Sequence, residues 1–422
     1  MYRIILCLFL LQFSISTAQT VQYTMPSEES LHEGTWLQWP HDYTYNFGAS
    51  DFEPTWIEMT EALITGENVH IIAYNEEEKN HIEYILGISG LSMENINIFI
   101  IPNDDFWVRD NGPIFVYDQQ NILHITDWGF NGWGGDAPYE LCDEVPNLLA
   151  TEIDLPLLDL NAMVLEGGSI EIDGAGSMMA TRSSITASDR NPNLTESEIE
   201  NYLTTYLGLT NFIWLDGMFG AWEDITDQHI DGFAKFHGTN AIVTMNADDL
   251  DYWYVSEEDI NTLYSASKPN GDSYEYVYLP LTDNNVTTTW GQNLGYKGTY
   301  VNYYIANTVV LVPNYNDPQD EIANAIIQNL YPNRTVIGID SRNILANGGM
   351  VHCITQQQPQ TLSPIGVGEI DYLKKGKLLR IIDLLGRKVI NLKENTLYFY
   401  IYENGVVEKK LLVESDLFRS KY

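Results

Sequence analysis

Three short segments of the chain combine residue types that could carry out chemistry. The first segment, Thr226 to Phe236, contains His229 and Asp231 two positions apart. Side chains repeat every second residue along a strand, so a strand here would turn both groups to one face. A carboxylate beside a histidine can partner it in proton transfer. The alternative is a half-buried strand with a structural ion pair, and no second His or Cys lies at a spacing useful for a metal site.

The second segment runs from Phe106 to Pro113 and ends in a Gly-Pro pair. Within it, Trp107 offers an aromatic face to a cation, and Asp110 offers a carboxylate that can accept two parallel hydrogen bonds. The alternative is the end of a strand in which Arg109 pairs with an aspartate. Alone, this segment indicates a cation site only weakly.

The third segment, Asn347 to Thr355, places Cys353 after a pair of glycines. Backbone N–H groups or a nearby positive charge lower the pKa of such a thiol and make it a nucleophile. The alternative is an inert buried cysteine. Papain-like proteases place the Cys before the His, and this chain has the reverse order. If both residues lie on one strand, His352 points away from Cys353, so we do not expect it to act as the base.

Together, Cys353, His229, Asp110 and Asp231 are suited to attack on a guanidinium group. A guanidinium is planar and presents its N–H donors as a fork, so two carboxylates can hold it from both sides. A thiolate can then attack the central carbon while a histidine protonates the departing ammonia. Glycine pairs at 134–135, 167–168 and 348–349 either surround this site, since glycine permits close backbone approach, or simply form turns.

Strands alternate with helices between these segments, which predicts an α/β fold. No internal sequence repeat is clear. The predicted strands are Val69–Tyr74, Ile96–Ile101, Ile114–Tyr117, Ala241–Met245, Tyr276–Leu279 and Thr308–Pro313. The predicted helices are Glu53–Leu63, Glu76–Leu86, Thr195–Leu207, Ser256–Ala266 and Pro318–Asn329.

The charge of the chain limits its partners. Its 422 residues include 21 basic and 59 acidic side chains, for a net charge of −38. This balance argues against nucleic acid and against adhesion to anionic lipid, because both require basic surfaces. An acidic surface instead steers small cations inward.

The amino terminus, residues 1–18, carries one Arg and an apolar run followed by Ser16-Thr17-Ala18. This pattern predicts a signal peptide cleaved after Ala18, and hence a secreted or cell-surface protein. No other stretch is long and apolar enough for a stable membrane span. Cys142 and Cys353 remain after cleavage, and we expect no disulfide between them, since a paired Cys353 has no thiolate.

A change of charge near residue 362 predicts a separate C-terminal module. Residues 19–361 hold 9 basic and 51 acidic side chains, whereas residues 362–422 hold 11 and 8. Strand-like runs at 378–384, 397–402 and 406–413, with an Asn404-Gly405 turn, predict a small antiparallel β module. This module resembles the C-terminal sorting domain of type IX secretion, which implies the type IX secretion machinery as a partner. The alternative is a carbohydrate-binding or structural β module.

Residues 23–358 resemble the agmatine deiminase family, which includes bacterial peptidyl-arginine deiminases. The segments that carry the resemblance are Trp36–His41, Trp107–Pro113, Glu166–Ser169, Arg190–Pro192, Asp227–Asp231, Tyr300–Tyr303 and His352–Gln357.

The resemblance implies a five-bladed α/β propeller, the pentein fold, with its site at the centre and no metal or cofactor. It implies that Cys353 is the nucleophile of a covalent amidino-cysteine intermediate. His229 would be the acid and base, and Asp110 and Asp231 would clamp the guanidinium. Further residues implied to line the pocket or lie near it are Trp107, Glu166 and Asn302.

Gln228, Lys235 and residues 346–347 depart from the usual family pattern, and these departures bear on the substrate rather than on the reaction. Segment 128–136 contains no Lys or Arg to meet a substrate carboxylate, and the body is acidic; both features favour agmatine. Predicted export favours an arginine-containing peptide or protein. Amidino transfer and non-catalytic cation binding are the remaining alternatives.

Overall fold

The computed structural model describes residues 22–44, 48–220, 224–362, 378–383, 387–389, 393, 396–402 and 407–412. The chain divides into two compact units, Met1–Leu362 and Ser363–Tyr422. The predicted signal peptide lies outside the described residues. Among the helices that are described, none has both the length and the apolar character needed to cross a membrane.

The strands, numbered along the chain, are β1 (Tyr23–Thr24), β2 (His32–Gln38), β3 (Asn68–Ala73), β4 (Ile96–Ile100), β5 (Ile114–Asp118), β6 (Leu123–Gly129), β7 (Leu157–Val164), β8 (Ile170–Ile172), β9 (Ser177–Thr181), β10 (Asn211–Leu215), β11 (Ala234–His237), β12 (Ala241–Thr244), β13 (Glu275–Tyr278), β14 (Tyr304–Ile305), β15 (Val309–Asn314), β16 (Thr335–Asp340), β17 (Gln356–Pro359), β18 (Leu378–Ile382), β19 (Thr396–Tyr402) and β20 (Val407–Leu412). The α helices are α1 (Glu53–Leu63), α2 (Glu76–Ile88), α3 (Val108–Asn111), α4 (Gly132–Gly135), α5 (Val145–Glu152), α6 (Arg182–Ile185), α7 (Glu196–Leu207), α8 (Ala247–Tyr252), α9 (Glu257–Tyr264), α10 (Gln319–Leu330) and α11 (Arg342–Leu345).

All the strands and helices predicted for the acidic body are present, with ends within two residues of the prediction. Local signals explain this agreement. Helix α7, for example, begins with a capping box, in which the Thr195 hydroxyl accepts from the Glu198 N–H and the Glu198 carboxylate accepts from the Thr195 N–H. The same helix ends at Gly208, whose φ of 78° suits glycine.

In the described part of the first unit, the strands form five separate sheets that share one arrangement. In each sheet a middle strand pairs antiparallel with one neighbour and parallel with another. The five sets are β5-β6-β7, β8-β9-β10, β11-β12-β13, β14-β15-β16 and β17-β2-β3. Strand β1 extends the first set and β4 extends the last. The sequence shows no matching repeat, so the repetition is one of structure.

The apolar core of this unit lies between the sheets and the helices. All four residues of β12 are buried, and so are the first five of β15. Within the described residues the buried apolar side chains fall into four clusters rather than one. Burying these side chains supplies the main stabilising free energy of the unit.

The repeated arrangement also places the predicted site residues. Each set begins shortly after one of them: β5 after Asp110, β8 after Glu166, β11 after Asp231, β14 after Asn302 and β17 after Cys353. Residues far apart in the chain therefore occupy corresponding positions at the start of five similar units.

In the second unit, the described residues include one antiparallel sheet of β18, β19 and β20. The three strands coincide with the predicted runs to within two residues. The predicted Asn404-Gly405 turn lies outside the described residues.

Candidate active site

Three of the predicted catalytic groups meet at Gly168. A Cβ atom added to this glycine would lie 2.7 Å from Nδ1 of His229, 2.8 Å from Oδ1 of Asp110 and 3.1 Å from Oδ2 of Asp231. All three side chains are buried. Any side chain at position 168 would push these groups apart, so the glycine is required by space alone.

Asp110 lies on the short helix α3, so the alternative interpretation of this segment as a strand end is wrong. The backbone N–H of Gly168 donates to Oδ1 at 3.0 Å, and Nε1 of Trp133 donates to Oδ2 at 3.0 Å. Burial raises the pKa of Asp110 to about 6 and outweighs the opposing effect of His229. A cation placed against this carboxylate would lower its pKa and stabilise the charged form.

The alternative interpretation of this segment, a pairing of Arg109 with an aspartate, is also wrong. The Arg109 side chain donates from Nε to the carbonyl oxygen of His352 at 3.2 Å and from Nη1 to Oε1 of Gln357 at 2.9 Å. Its Nη2 lies 3.7 Å from a carboxylate oxygen of Glu28. Arg109 thus supports the backbone next to Cys353.

The spacing of His229 and Asp231 suggested a strand, but the structure places neither residue on a strand. Asp227 and Gln228 have φ values of 54° and 69°, in the left-handed region. A 3-10 turn over Ile230–Gly232 follows. This turn, rather than strand alternation, directs both side chains to the same site.

The His229 imidazole is held between two carboxylates. Its Nε2 lies 2.6 Å from Oε2 of Glu166, and its Nδ1 lies 3.6 Å from Oδ1 of Asp110. Glu166 is in turn held by Arg190, which donates from Nε to Oε1 at 2.9 Å. Burial lowers the pKa of His229, but Asp110 and Glu166 raise it more, to about 9. The imidazolium, a proton donor, is therefore the stable form at neutral pH.

Cys353 lies in a 3-10 turn over His352–Ile354 rather than on a strand. Its Sγ is 3.4 Å from Nδ2 of Asn302, which donates to it, and 3.9 Å from Oδ2 of Asp231. Burial, Asp231 and Asp110 raise the pKa of the thiol well above its usual range. The thiol is therefore protonated in this structure, and a cation bound by the two aspartates would oppose that shift.

His352 contacts Asp231, in agreement with the expectation that it is not the base for Cys353. Its Nδ1 lies 2.8 Å from Oδ2 of Asp231, and its Nε2 lies 2.7 Å from Oε2 of Glu28. Burial raises the pKa of Asp231, but His352, His229 and Arg109 together outweigh burial and keep this pKa below its usual range. Nζ of Lys235 lies 3.1 Å from the same carboxylate oxygen of Glu28.

The glycine pairs border the site, as one of the two interpretations predicted. A Cβ at Gly349 would collide with the Trp107 ring, and one at Gly167 would collide with the carbonyl oxygen of Arg109. A Cβ at Gly134 would lie 2.7 Å from Nη1 of Arg190. Trp107 is buried against the backbone that leads to Cys353.

Some members of this site were not predicted from the sequence. Glu28 has no local pattern to mark it, and only its contacts with Lys235 and His352 reveal its place. Trp133 and Arg190 lay in segments of interest, but nothing in the sequence assigned them to Asp110 and Glu166.

The arrangement is able to hold a planar cation next to a thiol. Asp110 and Asp231 supply two buried carboxylates, Cys353 supplies sulfur beside one of them, and His229 supplies a proton donor beside the other. Cys353 and Cys142 are both free thiols. Burial and Asp105 raise the pKa of Cys142, so it is the less suitable nucleophile.

Known proteins are similar to this chain in sequence and in fold. The Porphyromonas-type peptidyl-arginine deiminase family matches residues 24–359. An agmatine deiminase of Pseudomonas aeruginosa (strain LESB58) is 30% identical over 366 residues, which cover 82% of this chain and 97% of the relative. The structure of a cysteine-to-serine variant of C. jejuni agmatine deiminase with substrate bound is 26% identical, with a TM-score of 0.68 and coverage of 81% of this chain and 97% of that one. The Enterococcus faecalis agmatine deiminase structure shares the fold, with a TM-score of 0.72 at 24% identity, and covers 81% of this chain and 97% of its own. These matches confirm the predicted α/β fold.

Proposed function

The chain belongs to the Porphyromonas-type peptidyl-arginine deiminase family, and from that premise we propose that it hydrolyses agmatine to N-carbamoylputrescine and ammonia. One observation carries the proposal: the Cys353 sulfur and the His229 imidazolium lie around the same two buried carboxylates, Asp110 and Asp231. This is the set of groups that deimination of a guanidinium requires.

Binding of the substrate prepares the nucleophile. The Asp110 and Asp231 carboxylates accept hydrogen bonds from the guanidinium fork and hold it beside the Cys353 sulfur. The positive charge opposes the two carboxylates that raise the thiol pKa, so the thiol releases its proton to solvent as the substrate binds, while His229 stays protonated. The side chains that complete the pocket in this proposal are Trp107, Glu166 and Asn302.

The reaction then proceeds in two halves. The Cys353 thiolate forms a bond to the guanidinium carbon, the bond from that carbon to a terminal nitrogen breaks, and His229 donates the proton with which ammonia departs. The product of this half is an amidino-cysteine. Neutral His229 next accepts a proton from water, whose oxygen bonds to the same carbon. The carbon–sulfur bond breaks, the second water proton is released, and a carbamoyl group remains.

We propose that the five strand sets are the blades of a five-bladed propeller around this site. The same pairing pattern recurs in each set, and a proposed site residue precedes each first strand. Such an arrangement would bring all five loops to one centre, which accounts for the convergence of residues from Asp110 to Cys353.

Agmatine is favoured over peptidyl-arginine by the lining of the site. Segment 128–136 supplies Trp133 to Asp110 and contains no Lys or Arg to meet a substrate carboxylate. Peptidyl-arginine is the second candidate substrate, because it is the substrate class in the family's description and because predicted export would bring the protein to extracellular proteins.

A parallel assay with agmatine, free arginine and an arginine-containing peptide tests this choice. We expect kcat/KM for agmatine to exceed that for the peptide by at least about tenfold, since segment 128–136 supplies no Lys or Arg to pair with a carboxylate of the peptide. Ammonia and citrulline are the measured products. More citrulline from the peptide than ammonia from agmatine would establish the second candidate. If none of the three substrates gives a product, the remaining interpretation is a non-catalytic cation-binding protein.

We also propose that residues 1–18 direct export and that residues 362–422 are a sorting domain for the type IX secretion machinery. The change from a strongly acidic body to a slightly basic tail and the hairpin pattern of the tail support this proposal. The deiminase domain in this proposal is residues 19–361.

Removing residues 363–422 is therefore expected to leave an active deiminase that no longer crosses the outer membrane. The catalytic groups all lie in the first compact unit, so activity per molecule should stay within about twofold. Agmatine turnover by the purified truncated protein and its distribution between periplasm and medium, against the full chain, measure the two effects. Loss of folding in the truncated protein would assign the tail to the enzyme itself.

A further inference from the structure

A second acidic cavity lies in the first unit, apart from the candidate active site. It has a volume of about 480 Å³, within the range of small-molecule pockets, and none of the proposed site residues lines it. Strands β6 and β7 and the start of α5 form its walls. Four carboxylates line it and no Lys, Arg or His does: Asp127, Asp143, Glu144 and Asp159.

Asp127 shows that the negative charge of this cavity lacks compensation. The residue is only 5% exposed. Its Oδ2 accepts from Nδ2 of Asn161 at 3.1 Å, whereas Oδ1 has no hydrogen-bond partner in the part of the chain that the structure describes. Burial raises the pKa of Asp127 to about 6, and Asp143, Asp159 and Glu144 add to this effect. A buried carboxylate oxygen without a donor is unusual and costs free energy, which a bound cation would recover.

The shape of the cavity favours an extended cation over a metal ion. Among the described residues, the group of three His, Cys, Asp or Glu side chains whose ligating atoms converge within 4.8 Å is Glu53, Glu78 and His81, none of which lines the cavity. No three of the cavity carboxylates therefore converge closely enough to ligate one ion together. Phe130 and Leu157 also line the cavity and add apolar groups to its wall.

We propose that this cavity is a second binding site, specific for a linear di- or triammonium cation of the polyamine class. One ammonium group pairs with Asp127, which supplies the carboxylate oxygen without a donor. Asp159, on the exposed rim, pairs with another. The methylene chain between the charges packs on Phe130 and Leu157, as long charged side chains pack on apolar surface.

Calorimetric titration of the full-length protein with spermidine tests the proposal. Spermidine has no guanidinium, so it is not a substrate for deimination and its binding is independent of turnover. We expect Asp127→Asn to weaken binding by about tenfold and Asp159→Asn by about threefold, because charge-assisted hydrogen bonds are strongest where both groups are buried. Circular dichroism confirms the fold of each variant, and the rim variant Asp159→Asn keeps the test valid if Asp127→Asn unfolds.

Two controls locate the binding. Asp251→Asn removes an exposed carboxylate that does not line the cavity, and Asp231→Asn removes one from the candidate active site; neither should change the affinity for spermidine. Dependence on Asp231 in place of Asp127 would put the amine in the active site and overturn the proposal. Absence of binding at millimolar spermidine would also overturn the proposal. The same holds if Ca²⁺ binding depends on Asp127 and spermidine binding does not depend on it.

Discussion

Replacement of Cys353 by serine is expected to reduce ammonia release from agmatine by at least about a thousandfold, as for other nucleophile replacements. A hydroxyl is a far weaker nucleophile than a thiolate. Asp110 and Asp231, which already raise the thiol pKa, would disfavour an alkoxide even more. The substitution changes little volume, so the thermal unfolding midpoint should stay within a few degrees. Steady-state ammonia release and thermal unfolding of the purified variant measure the two effects.

Cys142 provides the matched control for this substitution. It is fully buried and its pKa is raised, so Cys142→Ser should retain most of the activity per folded molecule. A chloroacetamidine, which carries the cationic amidinium that the aspartates attract, should alkylate Cys353 first, and excess agmatine should slow this reaction. Preferential labelling of Cys142, or more than a few per cent of the wild-type rate in Cys353→Ser, would remove Cys353 from the mechanism.

Replacement of His229 by glutamine is expected to lower kcat by about a thousandfold, within the usual range for general acid–base catalysis. Glutamine can still donate to Glu166, but it cannot give a proton to departing ammonia. Because Asp110 and Glu166 raise the His229 pKa to about 9, the wild-type rate should fall as the pH rises through about 9 and the imidazolium is lost. This alkaline decline should be absent from the residual activity of the variant. Rate profiles between pH 6 and about 10 measure both effects.

The same substitution at an exposed histidine separates chemistry from stability. His81 lies on the surface of α2 and pairs with Glu53, away from the proposed site residues. His81→Gln should therefore keep the wild-type rate and its alkaline decline. An equal loss in both variants, or an unchanged decline in His229→Gln, would show that His229 does not transfer the proton.

Much of the secondary structure follows from local signals in the chain. Thr195 and Ser256 begin helices because their side chains cap the first N–H groups, and Glu53–Leu63 was predicted with its observed ends. The types of the reactive groups, a thiol, an imidazole and carboxylates, are also evident from the sequence. Such features depend on neighbouring residues, so they can be predicted without the fold.

The backbone that carries the site residues was predicted less well. Strand alternation was expected to align His229 with Asp231, yet a turn with two left-handed residues aligns them instead. The segment around Asp110 is a short helix and that around Cys353 a 3-10 turn. Tertiary packing stabilises these short irregular segments, and their own sequences carry too few local contacts to specify them.

The sequence by itself determined which side chains can react and which regular elements lie between them, because both depend on residue type and short-range periodicity. The tertiary structure alone decided the partners that set the protonation of those side chains. Asp231 meets His352 across 121 positions of sequence, and Glu166 holds His229 across 63. Electrostatic interactions of this kind act over a few ångströms in space, so the pKa of about 9 for His229 arises only when folding brings distant carboxylates to it. The pKa of about 6 for Asp110 likewise requires the fold, because burial is what raises it.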